Sequence, residues 1–300
     1  MKEKPFSKYQ ILANAVMIIW TLAIILPFIL LFMSSITDEN TLVANGYSFF
    51  PKKFSLASYS YIIKSGGQIL KAYGVSIGVT VVGTLLNVLL SALMAYPLSV
   101  KNLPGRNVMM FFVFFTMLFN GGIVPSYIMW TGTFHIKDTI FAQLLPNFLL
   151  SAWNVMMIRT YFTTSIPDGL YEAAEIDGAS QFTIFWKIVL PLGKPILVTM
   201  GTFAGLAYWN DWTNGLYYIV KNTGLYNVQN LLNQMVQNIQ FLTQSSNSNV
   251  TAAASTIPAT GIQMAIAFVA ILPIMLIFPS FQKYYAKGIA LGAVDRKSVV

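Results

Sequence analysis

Six apolar stretches, at 11–33, 72–100, 108–130, 139–159, 192–212 and 261–281, constrain this chain more than any other feature. A helix needs about 20 such residues to cross the hydrocarbon of a bilayer, and each stretch reaches that length. The first four and the last carry no Asp, Glu, Lys or Arg in their cores. The fifth has Lys194 near one end and Asp211 near the other, so both belong at the interfaces. Only 9% of the residues are charged, against about a quarter in a soluble domain. The expected fold class is therefore an all-α membrane protein with six transmembrane helices.

An even number of spans puts both termini on one side. That side then holds twelve of the 18 Lys and Arg residues, and the other side holds six. The positive-inside rule makes the richer side cytoplasmic. Residues 1–10 read as a cytoplasmic N-terminus and 11–300 as one transmembrane domain. The apolar run from Ile11 is longer than a signal-peptide core of about 7–15 residues, and no small-residue cleavage site follows it. It reads as a retained first span. Outside lie a loop at 34–71 and a longer one at 213–260. In the second, Val228, Leu231, Leu232, Met235, Ile239 and Leu242 recur at helical spacing among Asn and Gln, which predicts an amphipathic outer helix. Such a helix serves equally as a lid lying in the interface or as a docking surface for an external partner.

Several chemistries drop out. The chain has no Cys and one His, so thiolate sites, Cys nucleophiles, His-containing triads and His/Cys metal clusters are excluded. His135 lies beside Lys137 in a short outer loop and reads as solvated. No Gly-x-x-x-x-Gly-Lys-Ser/Thr phosphate loop occurs, so any ATP-derived energy must come from another subunit. The net charge of +8 points to no nucleic acid, because the lysines sit at the ends of apolar runs. No cofactor, metal site or catalytic residue is expected.

The cytoplasmic segment 166–190 carries the most information. Pro167 and Asp168 suit a helix start. Leu170, Ala173, Ala174 and Asp177 lie on adjoining turns, Gly178 breaks the pattern, and Phe182, Phe185, Trp186 and Val189 form a second apolar run. Pro191 and Pro195 bracket entry into the next span. The pattern predicts two short helices joined at a glycine. Small residues at Ala173 and Ala174 let another backbone approach, and Glu172 and Asp177 offer charges to a basic partner. A solvated amphipathic connector has the same composition.

The stretch Glu172-Ala-Ala-x-x-Asp-Gly-Ala179, followed by Phe185 and Leu190-Pro-Leu192, resembles the coupling motif of binding-protein-dependent ABC import permeases. Glu172 matches the motif glutamate and Gly178 the glycine that turns the chain. The resemblance implies that Glu172, Ala173, Ala174, Asp177, Gly178, Ala179, Phe185 and Pro191 dock on a cytoplasmic ATPase. Other stretches resemble the carbohydrate branch of that family: Ser91-Ala-Leu-Met-Ala-Tyr-Pro-Leu-Ser99, Leu103-Pro-Gly-Arg106, Tyr208-Trp-Asn-Asp-Trp212, and Gln282 to Val294. Phe119-Asn-Gly-Gly-Ile-Val-Pro-Ser-Tyr127 and the run from Trp153 to Phe162 are similar to an LplC-like subgroup linked to complex oligosaccharides. Arg296-Lys-Ser-Val-Val departs from the usual short ending.

Tyr208, Trp209, Asp211 and Trp212 also suit sugar contact, since aromatic faces stack on sugar rings and carboxylates accept from hydroxyls. With Asn210 they are candidates for a substrate path or gate. An aromatic belt at the membrane surface explains the same residues without a ligand. Asn87 and Asn154 fall mid-span, where they line a polar path or bond to a neighbouring helix. Gly74-x-x-x-Gly78 and Gly201-x-x-x-Gly205 allow close helix packing.

The expected function is half of the translocation path of an ATP-driven importer for a sugar or oligosaccharide, and not an enzyme. The resemblance implies a second homologous permease, two cytoplasmic ATP-binding subunits, an extracellular sugar-binding protein and a bacterial cell membrane. An ion-coupled secondary sugar transporter is the alternative. It fits less well, because no span core holds a carboxylate and no repeat of halves is evident.

Overall fold

The computed structural model describes residues 8–64, 66–244 and 259–294. The polar stretch 245–251 and the residues past Val294 lie outside them. The chain opens with α1 (Lys8–Ser35), α2 (Glu39–Asn45) and α3 (Ala57–Lys64). Next come α4 (Gly66–Ser99), α5 (Arg106–Leu118) and α6 (Ile123–Ile128), the last running into a π turn at Met129–Thr133. After α7 (Phe141–Leu144) and α8 (Ala152–Ser165) come α9 (Asp168–Ile176) and α10 (Gln181–Ile184). A second π turn, Phe185–Val189, leads into α11 (Leu190–Leu192) and α12 (Lys194–Asn210). The chain ends with α13 (Thr213–Tyr218), α14 (Val228–Gln244) and α15 (Ala259–Val294). Among the described residues the only β pairing is a single antiparallel bridge between Thr37 and Phe54. The all-α class is as expected.

Among the described residues, three helices are long and apolar enough to cross a bilayer: Tyr9–Ser35, Gly67–Ser99 and Thr260–Ile277. Two more spans arise if each bent pair is one crossing. Arg106–Leu118 meets Ile123–Thr133 at 109°, and Gln181–Leu192 meets Lys194–Asn210 at 79°. The third and fourth stretches thus differ from the continuous helices expected at 108–130 and 139–159. The third breaks where Asn120 Oδ1 accepts from Gly122 N (2.8 Å) and Gly122 takes a left-handed φ of +85°. The fourth breaks at Pro146, which has no amide to donate, and at Asn147, whose φ is +67°. Only α8 remains of it as a long helix, and it continues past Arg159 to Ser165.

The chain divides into two compact units, one of Met1–Ile69 with Leu232–Pro273 and one of Leu70–Leu231 with Ile274–Val300. In the first, residues 34–64 fold around the end of α1. Asp38 N donates to Lys53 O (3.0 Å), and Ser55 N donates to Ile36 O (2.9 Å). Ser35 Oγ and Tyr59 Oη lie 2.8 Å apart. Glu39 accepts from Thr260 N and Gly261 N, one amide on each carboxylate oxygen and both at 2.8 Å. A carboxylate at that end complements the exposed amides and dipole of α15. A Cβ at Gly261 would collide with Ser58 Oγ and lie 3.1 Å from Glu39 Oε2, so a larger residue there must displace both side chains.

The second unit packs α4, α8 and α12 around Ala92, Ala95, Leu98, Val155, Ile158, Phe162 and Met200, with Val113 of α5 joining them. Its break at residues 144–148 is the point of interest. Helix carbonyls that lose their partners inside a membrane protein must find others. Three alternate carbonyls do so. Tyr208 Oη donates to Leu144 O (2.8 Å), Asn214 Nδ2 to Pro146 O (3.1 Å), and Asn87 Nδ2 to Phe148 O (2.6 Å). The donors come from three different helices. Asn154 Nδ2 in turn donates to Asn87 Oδ1 (2.7 Å), holding that amide in place.

Elsewhere in this unit, Asp138 clasps a neighbouring loop. Its Oδ1 accepts from Val220 N (2.7 Å), Lys221 N (2.7 Å) and Asn222 N (3.2 Å). Its own amide donates to Tyr218 O (3.0 Å). The bond from the Lys221 amide, helped by those from Val220 and Asn222 and by the charge of Lys137, holds the Asp138 carboxyl below its ordinary range.

Asn87→Leu should cost about 1–3 kcal/mol, since it strands the Phe148 carbonyl and frees Asn154. Asn154→Leu should cost less, because Asn87 keeps its bond to Phe148. Thermal unfolding of both variants in mild detergent checks the order. A second expectation concerns acid. The Asp138 carboxyl titrates near 3.9 when unfolded and lower when folded, so the clasp is complete above about pH 5 and is lost as pH falls through the lowered value. Hydrogen exchange should find the amides of Val220, Lys221 and Asn222 protected at about pH 4 and progressively open below it. Asp138→Asn should open them at neutral pH.

Candidate functional site: a two-helix segment and a buried polar cluster

The segment after α8 folds as two short helices joined at Gly178. Pro167 precedes the first turn of α9 in extended backbone, and Asp168 supplies an acid to that turn. At the other end Asp177 N donates to Ala173 O (3.0 Å), Gly178 N to Glu175 O (3.0 Å) and Ala179 N to Ala174 O (2.9 Å). Gly178 takes φ +75°, the left-handed conformation that ends many helices. Ser180 then restarts the helix, its Oγ accepting from Thr183 N at 3.2 Å. The turn is therefore dictated locally by Gly178 and Ser180.

The two helices are fixed to the body by their inner faces. Ala174, Ile184, Phe185 and Val189 are buried in the main core, with Phe162 and Tyr96 beside them. Tyr96 Oη donates to Gln181 Oε1 (2.5 Å), and Gln181 Nε2 donates to Glu175 Oε1 (2.8 Å). Lys101 pairs with Asp168 at the surface. Burial pushes the Tyr171 phenol above its ordinary value, so it stays neutral. A π turn at Phe185–Val189 and the close fit of Gly193 against Phe162 set the 79° bend into α12.

The outer face is left open. Glu172, Ala173, Asp177, Gly178 and Pro191 are exposed, and Ala179 is half-buried. Ile176 is 86% exposed, Phe182 66% and Trp186 45%, which makes an apolar patch among those acids. The two alanines of the motif thus have different surroundings. Ala173 leaves room for an approaching surface, whereas Ala174 packs inward. Phe185 likewise faces the core.

The residues considered for the substrate path separate in the same way. Tyr208, Trp209 and Asp211 are buried, and Asn210 and Trp212 are exposed. Tyr208 lies under Gly83, where a Cβ would strike its ring, and packs on Phe148 with ring centroids 5.3 Å apart. Trp209 lies 6.4 Å from the Tyr73 ring. Asp211 caps α13 through Oδ1, which accepts from Thr213 N (3.0 Å) and Asn214 N (3.3 Å). Asn87 and Asn154 bond to each other and to the break.

Around Asp211 the structure assembles a polar cluster absent from the sequence-based candidates. Asn227 Nδ2 donates to Asp211 O (2.6 Å) and to Gln143 Oε1 (3.3 Å). Gln143 Nε2 donates to Leu225 O and to Asn230 Oδ1, both at 3.2 Å. Asn230 N donates to Asn227 Oδ1 (2.8 Å). Gln143, Asn214 and Asn227 are almost fully buried. Their sequence signal is faint: amides among apolar residues, spaced too irregularly to mark one face. The cluster ties the start of α14 to the end of α12.

The description "Binding-protein-dependent transport system inner membrane component" belongs to the family whose pattern matches residues 72–291. The chain is 36% identical over 270 residues to Protein LplC of Bacillus subtilis (strain 168), covering 90% of this chain and 89% of that protein. It is 35% identical over 286 residues to the polygalacturonan/rhamnogalacturonan transport system permease protein YtcP of the same organism, covering 95% and 98%. A crystal structure of a bacterial ABC transporter involved in the import of the acidic polysaccharide alginate matches with a TM-score of 0.78 at 26% identity, over 94% of this chain and 100% of that one. The bent spans and the two-helix segment accord with a type I importer permease fold. This chain belongs to the binding-protein-dependent transport system inner membrane component family, as a permease subunit of an ABC transporter with ATP hydrolysis on a separate subunit.

Proposed function

We propose that this chain forms half of the path for an oligosaccharide entering a bacterial cell. A second homologous permease supplies the other half, two ATP-binding subunits dock from the cytoplasm, and an external binding protein delivers the sugar. The observation that carries the reading is the α9–α10 segment, buried on one side and offering Glu172, Ala173, Ile176 and Asp177 on the other. A partner that closes on this face moves a rigid lever, because Ile184, Phe185 and Val189 join it to the core. ATP binding draws the two levers of the dimer together and turns the path outward; hydrolysis resets it. Two of the named relatives belong to systems for polygalacturonan/rhamnogalacturonan and for alginate, which supports an oligosaccharide cargo.

At the other end of α12, Trp212 and Asn210 are the motif residues free to touch a passing sugar. Tyr208, Asp211, Asn87 and Asn154 serve that route indirectly, by holding the broken backbone and the start of α14. Residues 213–244 supply an outer surface for the binding protein.

Glu172→Ala should leave the fold intact, since the side chain is exposed, and should weaken attachment of the ATPase by about tenfold or more. Gly178→Val should do the same by bending the turn, at a local cost of about 1–2 kcal/mol. Co-purification from native membranes in mild detergent, with mass spectrometry of the partners and sugar uptake in cells, measures both. Normal attachment and uptake in both variants would remove α9 and α10 as the coupling element. Recovery of the chain without any second permease or ATPase, even after crosslinking, would remove the importer reading.

A further inference from the structure

We propose that the cytoplasmic end of α4 and α5 holds one anionic phospholipid of the surrounding bilayer, its headgroup on Lys101 and Arg106 and one acyl chain in the cavity beside α5. Two neighbouring cavities carry the inference. The first, about 500 Å³, is apolar and is lined by Met94, Pro97, Met109, Phe112, Thr116 and Leu150 among others. The second, about 440 Å³, is lined by Lys101, Leu103, Gly105, Arg106, Asn107 and Val108. Their linings meet on α5, where Val108 of the second cavity precedes Met109 of the first, and Lys101 stands in the turn just past the end of α4 at Ser99.

The dimensions suit a lipid. From Arg106 to Thr116 the rise along α5 is about 15 Å. That is one leaflet of a hydrocarbon core about 30 Å thick. The apolar cavity therefore runs from the headgroup level toward the midplane. Its chemistry excludes a sugar, because its lining offers few polar groups to bond hydroxyls.

The charges select the headgroup. Arg106 and Lys101 line the upper cavity, and Arg159 stands at the same level, its Nε donating to Leu98 O at 3.2 Å. One carboxylate, Asp168, opposes these three cations by pairing with Lys101. Arg106 Nη1 reaches only Val100 O, at 3.5 Å. The excess positive charge lies on the cytoplasmic side, where basic pockets between transmembrane helices recruit anionic headgroups. The Lys101–Asp168 pair also puts this pocket against the first turn of α9, so a bound lipid would touch the base of the coupling segment.

The test uses the importer assembled with its co-purified partners, in mild non-ionic detergent containing equal mole fractions of phosphatidylglycerol and phosphatidylcholine. Native mass spectrometry reads the lipid retained by this subunit. The expected result is one phosphatidylglycerol per chain, with phosphatidylcholine at least about fivefold lower. Lys101→Gln with Arg106→Gln should lower phosphatidylglycerol retention about tenfold and leave the two lipids equal. Thr116→Trp, which fills the cavity without touching the charges, should lower retention of both. Equal retention of the two lipids by the native protein would overturn the proposal. So would no retained lipid at all, as expected if a partner permease covers the cavity, or unchanged retention in the two sets of variants.

Discussion

An unpaired backbone carbonyl inside a membrane protein has nowhere to go. Water is absent, and each stranded group costs several kcal/mol. The second unit depends on how this constraint is met between Leu144 and Phe148. There the helix stops, and Tyr208, Asn214 and Asn87 each donate to one of three alternate carbonyls. The three donors belong to the fifth span, the helix after it and the second span. A local fault in one segment thereby becomes a joint between three others. Asn154 and Gly83 follow from the same joint, the first by bracing Asn87 and the second by making room for the Tyr208 ring.

Much of the architecture could be read from the residues before any coordinates. Long apolar runs implied helices, because hydrocarbon permits little else. The turn at Gly178 was legible because a left-handed cap needs glycine. The outer helix at 228–244 was legible from its period. The breaks were not. Hydropathy counts side chains, and Phe148, Leu149 and Leu150 are as apolar in a loop as in a helix. A stop such as that at Pro146 and Asn147 is tolerated at membrane depth only when distant donors exist. Nothing near Pro146 announces Tyr208 or Asn214, which lie more than 60 residues away.

The two-helix fold of the candidate segment was legible, and the orientation of its side chains less so. The motif places two alanines side by side, yet they took opposite environments. Ala173 is open and Ala174 is buried, because the helical period turns successive residues by about 100°. Tyr208, Trp209 and Asp211 have the chemistry of sugar contacts, but their surfaces are consumed by packing and capping. An aromatic-rich motif at the end of a span serves the protein's own construction as readily as it serves a ligand.

Glu39 has a mechanical consequence. Its two carboxylate oxygens grip the first amides of α15 from a short helix that begins just after α1 ends. The grip acts as an axial stop. The outer tip of the last span cannot slide lengthwise past the end of the first without releasing two charge-assisted bonds together, and Gly261 lets that stop sit flush against the backbone. Any lengthwise shift of that tip is thereby coupled to the position of Glu39.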